Sequence, residues 1–374
     1  MIYFDNAATT YPKPECVYEA LDEANRTMAF NAGRGSYKQA KAVSEMIDET
    51  RAMLAKLIGA SGEQVSFESS ATEAMNIIIN GLDLNSGDTV YISPFEHNAV
   101  VRPLYNLKNK IGINIEVLPF NKKTWEIDVD MMNDMFAIKK PKACFLTHIS
   151  NVTGYIVPYG IIFAQAKRYN SINVLDCSQS LGVLNPDKTD IDFVVFAGHK
   201  SLYASFGAAG FINIADQHLS ISKSGGTGSD SLNVEMPASG NLRYESGSIN
   251  SVAISGLHRS IKWLEENDVG KHEKLLTEYL VERLSELKKV HLYLPPNKDV
   301  FGIASIDVEG YSPSDVGTIL SDEFDICVRT GYHCAPFVHD FIGSLESSGT
   351  VRISVGAFNS QSEIELLIGA IKTL

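Results

Sequence analysis

Apolar positions along the chain alternate between helical spacing and short continuous runs. Helical spacing predicts amphipathic helices at residues 15–30 and 38–58, and a further helix over residues 72–80. Short apolar runs, which are typical of buried strands, occupy residues 64–68, 89–93, 143–147, 172–175 and 193–196. Because strands and helices alternate, we predict an α/β fold with a mainly parallel sheet flanked by helices.

The last third of the chain has a different arrangement of elements. A helical stretch at 258–287 is interrupted near 268–270, and Ser360 and Glu363 form a capping box before the final helix. Between them, the pattern predicts strands at 291–294, 301–308, 326–329 and 350–355 and a helix at 312–321. We therefore predict a large domain at 15–257 and a smaller α+β domain made of 1–14 and 258–374, with a long Gly- and Ser-rich loop at 222–247.

Polar residues follow several of the predicted strands directly. Asp176 and Gln179 follow the strand at 172–175, and Lys200 follows the strand at 193–196. In open α/β sheets, ligands bind beyond the carboxyl ends of the strands. We therefore expect these side chains to converge on one pocket.

Charge and cysteine content narrow the class of protein. The 374 residues include 32 basic and 45 acidic side chains, for a net charge of −13, which disfavours binding to the phosphate backbone of nucleic acids. The five cysteines are scattered and suggest neither a disulfide framework nor a zinc or other metal site. The start of the chain does not resemble a signal peptide, and no apolar run is long enough to span a bilayer. We predict a cytoplasmic enzyme without a membrane partner.

Two groups of residues suit a phosphorylated aromatic ligand. Residues 70–73, Ser-Ala-Thr-Glu, follow a strand and begin a helix, where backbone N–H groups favour a phosphate, although a plain helix cap is the alternative. Asp176 can keep a pyridine nitrogen protonated, and Gln179 can donate to a phenolic oxygen. The alternative for Asp176 is a solvated turn.

Lys200 and Cys334 are the candidate nucleophiles. A lysine next to a buried strand is desolvated, which lowers the pKa of its amine and favours Schiff-base formation, whereas a lone lysine is usually a surface residue. Cys334 follows His333 in a turn-rich loop bounded by Gly331 and Pro336, which suits an accessible thiolate. A buried structural cysteine is the alternative.

Arg352 and His97 complete the set of candidate residues. Arg352 interrupts an apolar strand, so its guanidinium needs either a substrate carboxylate or a structural salt bridge. His97 lies in a loop after a strand, where it could stack on an aromatic cofactor or form an ordinary loop hydrogen bond.

The order of these residues resembles that of the class V aminotransferase family of fold-type I pyridoxal-phosphate (PLP) enzymes, and more narrowly the cysteine desulfurase and selenocysteine lyase group. The resemblance covers essentially the whole chain and rests on the stretches YFDNAATT, SSATEAMN, FEHNAV, HISNVTG, VLDCSQS, AGHKSLY, RYESGSIN, VRTGYHCA and VRISV. The VRTGYHCA stretch is similar to that of desulfurases with a short, ordered cysteine loop, and it resembles a bacterial branch of desulfurase-like proteins more closely still.

The resemblance implies a role for each candidate. Lys200 would form the Schiff base, Cys334 would accept sulfur and Arg352 would bind the substrate carboxylate. The cofactor-binding set implied is Lys200, Asp176, Gln179, His97, Thr72, Ala71, His199, Asn151 and Ser248. Asn151 would also contact substrate, His97 would stack on the cofactor ring, and Ser248 would reach the phosphate of a neighbouring subunit, which implies a homodimer.

Three positions depart from the family pattern. Ala71 stands where a threonine is common, Ala197 where a phosphate-binding serine is common, and Tyr332 where a histidine is common. The two alanines remove hydroxyl donors to the phosphate, each worth about 1.5–3 kcal/mol, so weaker cofactor binding is expected. The loop at 225–231 could compensate.

The activity implied by the resemblance is conversion of L-cysteine to L-alanine with sulfur left as a persulfide on Cys334, for transfer to an acceptor protein or thiol. The alternatives are selenocysteine lysis, cysteine β-elimination, transamination, or a non-catalytic scaffold. The loop around Cys334 favours desulfurase or selenocysteine lyase chemistry, because elimination and transamination need no protein thiol.

Overall fold

The computed structural model describes residues 1–33, 35–228 and 232–374. Its strands, in chain order, are β1 (Ile2–Tyr3), β2 (Val65–Glu68), β3 (Thr89–Ile92), β4 (Asn114–Val117), β5 (Pro141–Thr147), β6 (Ile172–Asp176), β7 (Phe193–Ala197), β8 (Ala209–Asn213), β9 (Val290–Tyr293), β10 (Ile303–Val308), β11 (Ile326–Cys327), β12 (Arg329–Gly331) and β13 (Thr350–Ser354).

The α-helices are distributed between these strands along the whole chain. In chain order they are α1 (Glu15–Glu23), α2 (Lys38–Lys56), α3 (Ala71–Gly81), α4 (Asn98–Ile111), α5 (Val129–Ile138), α6 (Tyr159–Lys167), α7 (Ser251–Glu266), α8 (Val269–Ser285), α9 (Pro313–Phe324), α10 (Val338–Ile342) and α11 (Gln361–Lys372). A π-helical turn at Ala24–Met28 continues α1.

A seven-stranded sheet with the order β2-β8-β7-β6-β5-β3-β4 forms the centre of the molecule. Neighbouring strands from β4 to β7 run parallel, and β8 runs antiparallel to both β7 and β2. Neighbouring residues such as Phe145 and Leu146 point to opposite faces of the sheet, and each belongs to a different buried apolar cluster. Both faces are therefore covered, and the prediction of an α/β fold with a mainly parallel sheet is confirmed.

A four-stranded antiparallel sheet, with the order β12-β13-β10-β9, is formed by the C-terminal part of the chain. The N-terminal strand β1 pairs in parallel with β11, and Asp5 forms a bridge with Ser354 next to β13. The first residues of the chain thus lie beside C-terminal strands. The predicted domain boundary at 257/258 falls inside α7, and the division into domains stays a prediction.

Most predicted elements are present, with differences at their ends. The helix predicted at 15–30 becomes π-helical after residue 23, and the strand predicted at 326–329 is divided between β11 and β12. The elements that were not predicted from the sequence are the strands β1, β4 and β8 and the helices α4, α5, α6 and α10. The break near 268–270 is confirmed, because Asp268 caps α8 after α7 has ended. The capping box of Ser360 and Glu363 at α11 is also confirmed.

The loop predicted at 222–247 contains a 3₁₀ turn, Asn241–Arg243, among its described residues. Ser229, Asp230 and Ser231, which belong to the segment at 225–231 expected to compensate for the two alanines, lie outside the described residues. No helix in the described parts of the chain is both long and apolar enough to cross a bilayer. The same residues contain no cluster of three or more side chains that could hold a metal ion.

Candidate active site

A cavity of about 250 Å³ lies at the carboxyl ends of the central strands. Its walls include most of the residues predicted from the sequence, namely Ala71, Thr72, His97, Asn151, Asp176, Gln179, His199, Lys200, Cys334 and Arg352. The candidates come from strand ends of the large sheet, from helix starts and from the C-terminal sheet. The expectation that polar strand ends converge on one pocket is therefore met.

Lys200 and Asp176 lie at the ends of the neighbouring strands β7 and β6. Burial lowers the pKa of the Lys200 amine, and the nearby Asp176 carboxylate offsets part of that shift. Asp176 is 7% exposed, and its Oδ1 accepts hydrogen bonds from the Ser178 N–H at 2.9 Å and the Ser178 hydroxyl at 2.6 Å. The pair thus combines a desolvated amine with a fixed buried carboxylate, which excludes the solvated turn considered for Asp176.

His97 caps α4 and is held in one orientation. Its Nδ1 accepts a hydrogen bond from the Ala99 N–H at 3.0 Å, which leaves the proton of the neutral ring on Nε2. Burial, and then the charge of Lys200, lower the pKa of His97 to about 4. His97 is therefore neutral at physiological pH and lines the cavity as an uncharged ring.

The adjacent Glu96 is fully buried and connects two strand ends. Its Oε1 interacts with the Ser93 hydroxyl at 2.5 Å and accepts from the Thr147 N–H at 2.8 Å. Burial raises the pKa of Glu96 to about 8, so the carboxyl is mainly protonated at neutral pH. Glu96 thereby joins the loop that carries His97 to the end of β5.

The N-terminus of α3 forms another wall of the cavity. Ala71 and Thr72 lie in its first turn, where backbone N–H groups lack partners within the helix. The Ser70 hydroxyl caps the helix by accepting from the Glu73 N–H at 3.1 Å. The capping alternative is thus realised by Ser70, while Thr72 lines the cavity.

Cys334 is the exposed cysteine of the chain and lies in an unusual loop conformation. His333 and Cys334 have φ angles of 47° and 58°, in the left-handed region, which costs a residue other than glycine roughly 1–2 kcal/mol. The loop is held there from outside, because the Asn98 N–H donates to the Cys334 carbonyl and Asn151 Nδ2 donates to the His333 carbonyl, both at 2.7 Å. The alternative of a buried structural cysteine is therefore wrong.

Arg352 is 2% exposed and already has partners in the protein. Its Nη2 pairs with Asp5 at 2.6 Å, and its Nη1 donates to the Asn151 carbonyl at 2.9 Å. The structural salt bridge considered from the sequence thus exists. Nε is buried without a hydrogen-bond partner among the described residues, and the side chain also lines the cavity.

The sequence of the chain matches the profile of the family described as aminotransferase class-V over residues 2–367. The chain belongs to this family. A probable cysteine desulfurase of Pyrococcus abyssi is 31% identical, over 100% of this chain and 94% of the relative. An apo structure of a cysteine desulfurase from Thermococcus onnurineus superimposes with a TM-score of 0.91 at 30% identity, covering 100% of this chain and 95% of that one. A cysteine desulfurase from Escherichia coli has a TM-score of 0.86 at 24% identity, covers 99% and 94%, and shows the fold alone.

The class V family is PLP-dependent, and the residues of this cavity fit that cofactor. Asp176 suits the pyridine nitrogen, the first turn of α3 suits the phosphate, and the desolvated Lys200 suits the aldehyde. His199 lines the same cavity, and its buried Nδ1 has no hydrogen-bond partner among the described residues, so a donor or acceptor remains for a ligand. Ala71 and Ala197, the two alanines that depart from the family pattern, also line the wall of this cavity.

Two predicted residues differ from expectation in their contacts. Gln179 lines the cavity, but its Nε2 donates to the Ala7 carbonyl at 2.9 Å, so its amide is already partly engaged. Ser248 is exposed and lines a different pocket, beside Glu68 and Lys223. The site of a single chain does not include Ser248, and its contact with a neighbouring subunit stays a prediction.

Several residues that line the site were not predicted from the sequence. Arg329 lines the cavity and lies directly opposite Arg352 in the β12–β13 pair. It is a second cation facing the same space, and its position in an otherwise apolar run was the available signal. Ala7 and Ala8 also line the cavity, and only the family motif that contains them pointed in this direction.

Proposed function

We propose that this protein is a PLP-dependent cysteine desulfurase that converts L-cysteine to L-alanine and retains the sulfur as a persulfide on Cys334. The observation that carries the proposal is that one cavity contains both the desolvated Lys200 and the exposed thiol of Cys334. Elimination and transamination would use Lys200 without the thiol. The held conformation of the Cys334 loop supports a reaction in which the thiol takes part.

The large-sheet side of the cavity holds the cofactor in this proposal. Lys200 would hold it covalently, Asp176 would keep its ring nitrogen protonated, and His97 would contact the ring as a neutral imidazole. Gln179 and Asn151 would complete the set of residues around the ring, and Thr72, Ala71 and His199 would bind the phosphate. When bound, PLP supplies an electron sink for the bonds to the substrate Cα.

The remaining residues act on the substrate. One or both of the arginines, Arg352 and Arg329, bind the cysteine carboxylate, which orients Cα towards Lys200. Lys200 Nζ removes the Cα proton, and its lowered pKa keeps a larger fraction of the amine unprotonated. Cys334 Sγ, as a thiolate, forms a bond to the substrate sulfur as the Cβ–S bond breaks, and the electron pair of that bond stays on the carbon side. One proton is delivered to Cβ, and Cα regains the proton that it lost. Alanine leaves, and a persulfide remains on Cys334.

The products of the reaction test the proposal. Purified holoprotein is incubated with L-cysteine and a reductant, and alanine, sulfide and pyruvate are measured for the wild type and for Cys334→Ala. We expect equal amounts of alanine and sulfide, both lost in the variant. Pyruvate in place of alanine, formed equally by both proteins, would contradict the desulfurase assignment and leave a cysteine β-lyase. In a parallel assay with L-selenocysteine as substrate, release of selenide much faster than release of sulfide from L-cysteine would indicate a selenocysteine lyase.

We also propose that the protein works as a homodimer in the cytoplasm and passes its sulfur to an acceptor thiol or protein. Ser248 lies on an exposed segment, as a residue that reaches a neighbouring subunit would. The described cysteines are all free, which suits a reducing compartment. Light scattering would give the oligomeric state, and a monomer with full activity would exclude the shared site.

A further inference from the structure

One backbone carbonyl next to Lys200 accepts an unusual number of hydrogen bonds. The His199 oxygen accepts from the Thr10 N–H at 3.1 Å, the Thr10 hydroxyl at 3.3 Å, the Thr9 hydroxyl at 2.9 Å and the Lys13 ammonium at 2.8 Å. A carbonyl oxygen has two lone pairs, so four donors, one of them a cation, exceed its ordinary capacity. All four come from the N-terminal segment, which we call the N-terminal clamp (Thr9, Thr10 and Lys13).

The position of Lys13 is not explained by an ion pair. Its ammonium also donates to the Thr10 hydroxyl at 2.6 Å and the Thr9 hydroxyl at 3.4 Å, and no carboxylate of the described residues forms a salt bridge with it. Burial alone lowers the pKa of Lys13 to about 7. Placing an ammonium among neutral oxygens costs free energy, and such costs are commonly found at functional sites.

The carbonyl that Lys13 contacts belongs to the peptide bond whose nitrogen is that of Lys200. The turn at residues 197–204 is also held by hydrogen bonds of its own. The Lys200 N–H donates to the Ala197 carbonyl at 3.3 Å, and the Ala204 N–H donates to the Gly198 carbonyl at 2.8 Å. The His199–Lys200 peptide is thus fixed from within by the turn and from outside by the clamp. Lys13 itself is not among the residues that line the cavity, so its effect on the site is exerted through the peptide that it contacts.

We propose that Lys13 is a positioning residue for Lys200: its ammonium, together with Thr9 and Thr10, fixes the His199–Lys200 peptide and thereby the direction in which the Lys200 amine enters the cavity. The inference rests on the proposed function only in taking Lys200 as the residue that binds the cofactor. The same segment contributes Ala7 and Ala8 to the cavity wall and Asp5 to Arg352. The N-terminal segment of the chain, which contains Asp5, Ala7 and Ala8, is therefore part of the site.

The test compares Lys13→Met with Lys13→Arg, which keeps a cation, and with Lys188→Met. Lys188 is a matched control, because its ammonium also donates to a backbone carbonyl, that of Gly59, away from the cavity. Amide hydrogen exchange of the peptide spanning 197–204 is measured in the protein without cofactor. Values of kcat and KM for cysteine are measured in the holoenzyme. Thermal unfolding confirms that each variant is folded.

In Lys13→Met, we expect the backbone amides of residues 197–204 to exchange severalfold faster than in the wild type. We expect kcat to fall by about tenfold and KM for cysteine to change by less than about twofold, because the geometry at the reacting amine is lost whereas substrate binding is kept. Lys13→Arg should recover most of both effects, and Lys188→Met should show neither. If Lys13→Met does not fold, Thr9→Val removes another donor to the same oxygen and is held to the same expectations.

Unchanged exchange at 197–204 in a folded Lys13→Met variant would overturn the proposal. Faster exchange with an unchanged kcat would also overturn it, because Lys13 would then be structural only. A wild-type protein without desulfurase activity would refute the proposed function instead. The exchange measurement without cofactor would still report whether the clamp holds the Lys200 turn.

Discussion

The two sides of the cavity differ in how their reactive groups are held. On the large-sheet side, Lys200 and Asp176 follow regular buried strands in the centre of a covered sheet. On the other side, Cys334 lies in an exposed loop with two consecutive left-handed residues, fastened by hydrogen bonds from Asn98 and Asn151. The first side is fixed by the core of the fold, and the second by a few polar contacts.

This difference separates two parts of the chemistry. The large-sheet side carries the groups that suit PLP, and every reaction considered above would use this cofactor. The Cys334 loop carries the thiol, which only desulfurase and selenocysteine lyase chemistry would use. Changes on the large-sheet side should therefore affect every reaction of the cofactor, whereas changes in the Cys334 loop should affect sulfur transfer selectively.

The largest expected effect comes from removing Lys200. Lys200→Ala should abolish covalent attachment of PLP and lower cysteine turnover by roughly three orders of magnitude or more, because both the attachment point and the base are lost. Cys334→Ala should leave the visible absorbance of the bound cofactor unchanged. Spectra and alanine assays of the two variants check the contrast. Normal turnover by a folded Lys200→Ala variant would show that the roles given to Lys200 on the large-sheet side are wrong.

An intermediate effect is expected on cofactor affinity. Ala197 ends β7, is 2% exposed and lines the cavity at the position where the family resemblance leads us to expect a serine hydroxyl. Ala197→Ser should tighten PLP binding by about tenfold or more, because a hydrogen bond to a charged group is worth about 1.5–3 kcal/mol. Equilibrium dialysis of the cofactor-free protein measures this. Ala99→Ser adds a hydroxyl elsewhere in the wall and serves as the control; equal gains in both variants would argue against a specific phosphate contact.

The smallest effect is expected from Glu96→Gln and depends on pH. The folded-state pKa of Glu96, about 8, lies above its ordinary value of 4.5, so its contribution to stability is complete below pH 4.5 and is lost as pH rises through 8. Glutamine does not ionise. The melting temperature of the variant relative to the wild type should therefore rise between about pH 5 and about pH 9. Thermal scans at both pH values test this, and a constant difference would mean that the pKa of Glu96 in the folded protein is not raised above its ordinary value.

The groups found from sequence share a local signal, whereas those missed depend on contacts between distant parts of the chain. Lys200 and Asp176 could be predicted because each directly follows a buried apolar run. Arg329 faces the cavity because β12 pairs with β13 in one particular register, and that pairing is not a local property of either strand. Lys13 is placed by a carbonyl 186 residues further along the chain, which no spacing rule reveals.

The contacts that hold the Cys334 loop involve backbone atoms of the loop and the His333 ring, which hydrogen-bonds Thr350, but not the Cys334 side chain. The carbonyl oxygens of His333 and Cys334 accept from Asn151 and Asn98, and the thiol takes no part in either bond. The identity of the side chain at position 334 is thus uncoupled from the anchoring of its backbone. During evolution, a lineage could exchange the thiol for another small side chain, and so change the outcome of the reaction, without rebuilding the scaffold around it.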